Sequence, residues 1–118
     1  MNAVLVDTSI WIDHLHRKNS QLVEWLEADL VVTHEHVLGE LACGHLKQRK
    51  TFLENLSRLP RLSSARWPEL IALIENHQLY GLGLSWTDIH LLAAVLLANA
   101  ELWTKDKVLM RATHKLRE

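Results

Sequence analysis

At 118 residues, 48% of them hydrophobic, the chain suits one folded domain over residues 1–118 and is too apolar for disorder. A formal net charge of −1 excludes a generally basic nucleic-acid coat, though not local basic patches beside an acidic site. A single cysteine, Cys43, excludes an intrachain disulfide; no apolar run reaches the ~20 residues of a membrane helix and no signal peptide opens the chain, so a cytoplasmic protein with no membrane partner is expected.

Ala3 to Val6 is a continuous apolar run, as in a strand buried on both faces. Asp7 ends it. Ser9 then offers a cap for a helix to about Arg17, and a second helix is expected from Ser20 to Ala28. Leu30 to Thr33 reads as a short strand. From His36 to Lys50 the apolar residues Val37, Leu38, Leu41 and Ala42 recur at helical spacing, and another helix is expected from Thr51 to Leu59. Arg61 and Leu62 are candidates for an edge strand, since Pro60 removes a ladder donor. Pro68 fits the first turn of a helix to Gln78. After the Tyr80-Gly81-Leu82-Gly83 loop, Ser85 opens the most apolar helix, Glu101 to Thr104 is a strand, and Asp106 starts the last helix. Strands alternating with helices predict an α/β fold with a mainly parallel sheet.

In such sheets ligands gather beyond the carboxyl ends of the strands, where the following helices begin. Asp7, Asp88 and Asp106 all fall at that edge. Each alone has a plain role as a helix cap, because aspartate is favoured at helix N-termini. Ser85 with Asp88 three residues on also resembles a capping box. Glu40 lies beside the apolar face of its helix, with Gly44 one turn later, and that pair reads equally as an open approach to Glu40 or as a solvated glutamate beside a packing glycine. Converging acids repel one another, and burial raises their pKa values. Oxygen-only ligation of a divalent cation such as Mg²⁺ or Mn²⁺ removes that conflict and suits hydrolysis of a phosphodiester by an activated water.

Four stretches, "VLVDTSIWID", "HVLGELACG", "SWTDIHLLAAVLLANA" and "ELWTKDKVL", resemble in order and spacing the PIN-domain nucleases, specifically the VapC toxins of toxin–antitoxin pairs. The resemblance covers nearly the whole chain. It implies a three-layer α/β/α sandwich with a mainly parallel sheet of four to five strands, the last strand in doubt because little follows His114. It also implies a metal-dependent endoribonuclease leaving 5′-phosphate and 3′-hydroxyl ends. Asp7, Glu40, Asp88 and Asp106 match the family's four acidic positions and would bind Mg²⁺ or Mn²⁺. Ser9 and Thr104 match hydroxyl positions that support the first and fourth acids. The implied partners are an RNA substrate, a cognate VapB-type antitoxin, and a second copy of the chain in a homodimer or toxin–antitoxin hetero-oligomer. A PIN-like module that binds RNA or a partner without cutting it, and a nuclease for another phosphodiester, are the alternatives.

The remaining candidates carry less. The pairs His14/His16 and His34/His36 have no evident third ligand for zinc. Cys43 has no base partner and reads as a small buried residue. Lys105 and Lys107 flank Asp106, and Arg17, Lys18, Lys47, Arg49 and Lys50 sit at helix ends, where they suit a solvated face or an RNA backbone equally. Trp11 is expected beneath the acids and Trp86 at their rim.

Overall fold

The computed structural model describes residues 2–117. Its centre is strand β1, Val4–Val6, whose three apolar side chains are all buried. Branched and apolar residues with no polar alternation suit a strand covered on both faces. β1 pairs in parallel with β2, Val31–Val32, in the register Val4↔Val31, and with β3, Glu101–Trp103, in the register Val4↔Glu101. The sheet order is therefore β2-β1-β3. Parallel neighbours need crossover connections, and helices supply them.

The helices are α1 (Thr8–His16), α2 (Ser20–Glu27), α3 (Glu35–Cys43), α4 (Arg49–Ser57), α5 (Trp67–His77), α6 (Trp86–Ala98) and α7 (Lys107–Arg117). Their apolar faces form two clusters. One joins the strands to Ile10, Trp11, Leu22, Val37, Leu41 and Leu56; the other joins Leu70, Leu73, Ile89, Leu92 and Leu109. α6 serves both, since Leu91 and Val95 belong to the first and Ile89 and Leu92 to the second. Residues Ile89 to Val95 are all buried, as expected of a helix apolar on every side. Gly81 and Gly83, at φ +73° and +87°, let the chain turn from α5 into this central helix. Asn99 adopts φ +52° at the other end, and the N–H groups of Asn99 and Ala100 bond back to Leu96 and Val95 before β3 begins.

The sheet is smaller than the expected four to five strands. Among the described residues there are three strands, and the fourth is reduced to one parallel bridge, Thr33↔Arg61. Thr33 donates its N–H to the Pro60 carbonyl at 2.9 Å and accepts from the Leu62 N–H at 2.8 Å. Pro60 has no N–H to extend that ladder. A fifth strand is absent among the described residues, because α7 continues through Arg117.

The long helix expected from His36 to Lys50 is also divided. α3 stops at Cys43, Gly44 takes an extended conformation, and α4 starts at Arg49. The Arg49 guanidinium donates to the Ala42 carbonyl at 2.6 Å, satisfying one of the open carbonyls at the end of α3. Cys43 is exposed rather than buried, because the buried positions of α3 are Val37 and Leu41.

Candidate active site

Asp7 leaves β1 at its carboxyl end and occupies the N-cap position of α1. Its backbone ties both elements together. Its N–H donates to the Trp103 carbonyl of β3 at 2.9 Å, and its carbonyl accepts the Ile10 N–H at 3.0 Å. The carboxylate makes no capping bond. Its Oδ2 instead accepts the Thr104 hydroxyl at 2.7 Å and the Ser9 hydroxyl at 3.0 Å. Each hydroxyl passes the constraint on: Ser9 Oγ accepts the Lys105 N–H at 3.1 Å, and Thr104 Oγ1 accepts the Asp106 N–H at 3.0 Å. Ser9 bonds the first acid, and Thr104, expected near the fourth, accepts the Asp106 N–H and also donates to Asp7. The expectation that Ser9 caps α1 is not met: the helix already includes Thr8, so Ser9 lies within its first turn.

Asp106 and Asp88 do cap helices. Asp106 Oδ1 accepts the Val108 and Leu109 N–H groups of α7 at 2.9 and 3.2 Å. Asp88 Oδ2 accepts the Ser85 N–H at 2.9 Å, and Ser85 Oγ accepts the Asp88 N–H at 3.1 Å, a capping box with aspartate in the glutamate position. Capping uses one carboxylate oxygen in each case. The second oxygen of Asp7, Asp88 and Asp106 takes no protein hydrogen bond among the described residues.

Asp88 senses its neighbours. Burial raises its carboxyl above the ordinary aspartate value, and the carboxylates of Asp106 and Asp7 add to that rise, against the lowering effect of the Ser85 hydrogen bonds. Two acids from distant parts of the chain therefore lie close enough to act on Asp88. Glu40, exposed on α3, enters through a neighbour that spacing did not single out: Thr8 donates its hydroxyl to Glu40 Oε1 at 2.8 Å, one residue beyond Asp7.

Among the described residues no base is paired with these acids. The ion pairs among the described residues are Arg66–Glu69, Lys105–Asp13 and Arg117–Glu101, none involving the four acids. Lys105, adjacent to Asp106 in sequence, turns to Asp13 at 3.0 Å instead. Unpaired carboxylate oxygens of this kind fit a hard divalent cation. Among the described residues no three His, Cys, Asp or Glu side chains lie close enough together to hold a metal ion by themselves. An open arrangement agrees with a cation that keeps several waters and is held by few carboxylates plus a substrate phosphate.

Gly44, expected to clear space beside Glu40, lies past the end of α3 and makes ordinary contacts with Leu41 and Leu46. The open glycine is Gly39, inside the helix, where a Cβ would meet nothing within 4 Å. Trp11 is buried against Phe52, their rings 6.1 Å apart, and Trp86 is exposed two residues from Asp88.

The PIN domain model matches residues 4–115. Two proteins named Ribonuclease VapC32, from Mycobacterium tuberculosis strains CDC 1551 / Oshkosh and ATCC 25618 / H37Rv, are each 41% identical over 110 residues, 92% of this chain and 89% of theirs. The fold, the acids at the sheet edge and these two likenesses agree: the chain belongs to the PIN-domain family, among its VapC-type members.

Proposed function

We propose that the chain is a metal-dependent endoribonuclease and the toxin of a toxin–antitoxin pair. The observation that carries this reading is the Asp7 carboxylate at the sheet edge, fixed by the Ser9 and Thr104 hydroxyls and, like Glu40, Asp88 and Asp106, in no ion pair among the described residues. The word ribonuclease in the names of both relatives supports RNA as the polymer. Asp7, Glu40, Asp88 and Asp106 would hold Mg²⁺ or Mn²⁺. When bound, the cation makes a water more acidic and offsets charge on the phosphodiester. The chain's part is preorganisation: Ser9 and Thr104 fix one oxygen of Asp7, the two helix caps fix Asp88 and Asp106, and Thr8 fixes Glu40. A VapB-type antitoxin, a homodimer and a toxin–antitoxin hetero-oligomer are the assemblies that go with this role, in the cytoplasm. No helix of the described residues is long and apolar enough to cross a membrane.

The test is cleavage of single-stranded RNA by purified wild type and Asp88→Asn, in Mg²⁺, Mn²⁺ or EDTA. The reading expects cutting by wild type with either metal and none with EDTA or the variant. Cutting that survives the chelator or the substitution overturns the four-acid mechanism. RNA binding without cutting would assign a binding module, and preference for DNA a different substrate.

A further inference from the structure

We infer that the cavity between α3 and the start of α6 is a subsite for the nucleobase next to the scissile phosphate. This rests on the nuclease reading and adds where the substrate lies. The cavity, about 450 Å³, is lined by Glu35, His36, Gly39, Glu40, Cys43 and Thr87. That volume falls in the range of small-molecule sites. It shares Glu40 with the acid centre, and Thr87 adjoins Asp88 in sequence. A nucleotide whose phosphate sits at the acids has its base within reach of this space.

Three features identify the occupant as a base rather than a phosphate. First, the cavity walls include the carboxylates of Glu35 and Glu40, which repel an anion. Second, His36 presents a ring that is already fixed. It stacks on His90 with centroids 3.9 Å apart and planes at 22°, its Nδ1 lies 3.3 Å from the Thr87 hydroxyl, and Trp86 braces His90 edge-on at 5.1 Å. A ring held in this way offers a stacking face at little entropic cost. Third, Gly39 weakens the middle of α3 for no reason inside the protein. Its φ is not positive, and nothing lies within 4 Å of the Cβ it lacks. A side chain at position 39 would project into space that a flat base needs.

The experiment uses the full chain and a pool of oligoribonucleotides randomised around the cut. Gly39→Leu is expected to lower cleavage about tenfold, the size of one lost base–ring stack, with changed base preference on one side of the cut. His36→Ala is expected to lose the same preference and His36→Phe to keep it. Gly39→Ala, at least as stable as wild type, separates a blocked cavity from a damaged fold. A second readout needs no cleavage: RNA bound in Ca²⁺ should slow alkylation of Cys43, the single thiol, by iodoacetamide in wild type and not in Gly39→Leu. Wild-type rate and base preference in Gly39→Leu, or RNA that binds without shielding Cys43, overturns the subsite. If RNA shields Cys43 through Gly39 but is not cut, the nuclease reading fails and with it the scissile phosphate, leaving a base-binding cavity. RNA that does not bind overturns both.

Discussion

The Thr104 hydroxyl donates to the Asp7 carboxylate at 2.7 Å across 97 positions of sequence, and this bond is buried. It joins the ends of two adjacent parallel strands, β1 and β3, at the edge where α1 and α7 begin. The same hydroxyl accepts the Asp106 N–H. One threonine thus fixes the orientation of the first acid and the position of the fourth.

Thr104→Val keeps the shape of the side chain and removes both roles. Asp7 loses a donor, and the Asp106 N–H loses its acceptor. The variant should unfold with a stability loss of about 1–3 kcal/mol, as for a buried polar group left unpaired. Divalent-metal affinity should fall by about tenfold, the usual lower range for loss of a group that orients a ligand. Thr104→Ser should retain most of both. Thermal unfolding and titration with Mn²⁺ check the two effects separately.

Asp88→Asn should split stability from activity. Asparagine still offers an oxygen to the Ser85 N–H, so the start of α6 remains capped. The substitution also removes a carboxylate crowded by Asp7 and Asp106. Stability should be unchanged or higher by up to about 1 kcal/mol, while RNA cleavage drops at least about a hundredfold, the trade expected at a strained functional site. A variant that loses cleavage and stability together would point to a structural role for Asp88 instead.

The acids were legible in the sequence because fold rules place them: a strand that stops at Asp7, a helix that opens at Ser85, and a strand followed by Asp106 all share one edge of a parallel sheet. The Ser9 and Thr104 hydroxyls were legible from the resemblance, whereas the Thr8–Glu40 bond was not, since 32 residues and a helix–helix contact separate its partners. Gly39 was passed over for Gly44 because periodicity alone ran α3 through Gly44. The helix stops earlier, at Cys43 with Gly44 as its C-cap, a stop signal the periodic apolar pattern overrode, and Arg49 reaches back to Ala42. The histidines looked like two sequence pairs. In space, His36 stacks on His90 from another helix, a relation no spacing rule contains.

Acid should weaken the fold through His34. This residue is fully buried, and its Nδ1 accepts the His36 N–H at 3.0 Å to cap α3, so that nitrogen must stay unprotonated. Burial first, then the charges of His36, His90 and Arg61 against an opposing Glu35, lower its pKa from the ordinary 6.5 to about 4. Below 6.5 the unfolded chain takes up a proton that the folded chain refuses. Stability is therefore full above pH 6.5 and is lost as pH falls toward 4, by about 3 kcal/mol in all. His14 and His90 are shifted in the same direction by burial and add to the slope. His34→Asn keeps a cap acceptor without the titration, and its denaturation midpoint should vary less over that window. An equally steep dependence in the variant would assign the slope to other groups.

On the proposed reading divalent metal should stabilise the folded chain by mass action, because only the fold brings acids far apart in sequence to one sheet edge. At a concentration a hundred times the dissociation constant, the gain is about 2.7 kcal/mol. EDTA should reverse it. Asp7→Asn should abolish most of it, since Asp7 is the acid held in place by two hydroxyls. Lower pH should weaken the effect as well: Asp88 is raised above the ordinary aspartate range, so it takes up a proton at a higher pH than a free aspartate and then competes with the cation. Differential scanning fluorimetry with Mg²⁺ and Mn²⁺, at neutral and mildly acidic pH, reads all three outcomes. A Tm that Mg²⁺ and Mn²⁺ leave unmoved, or that they raise equally in Asp7→Asn, would remove the metal from these carboxylates.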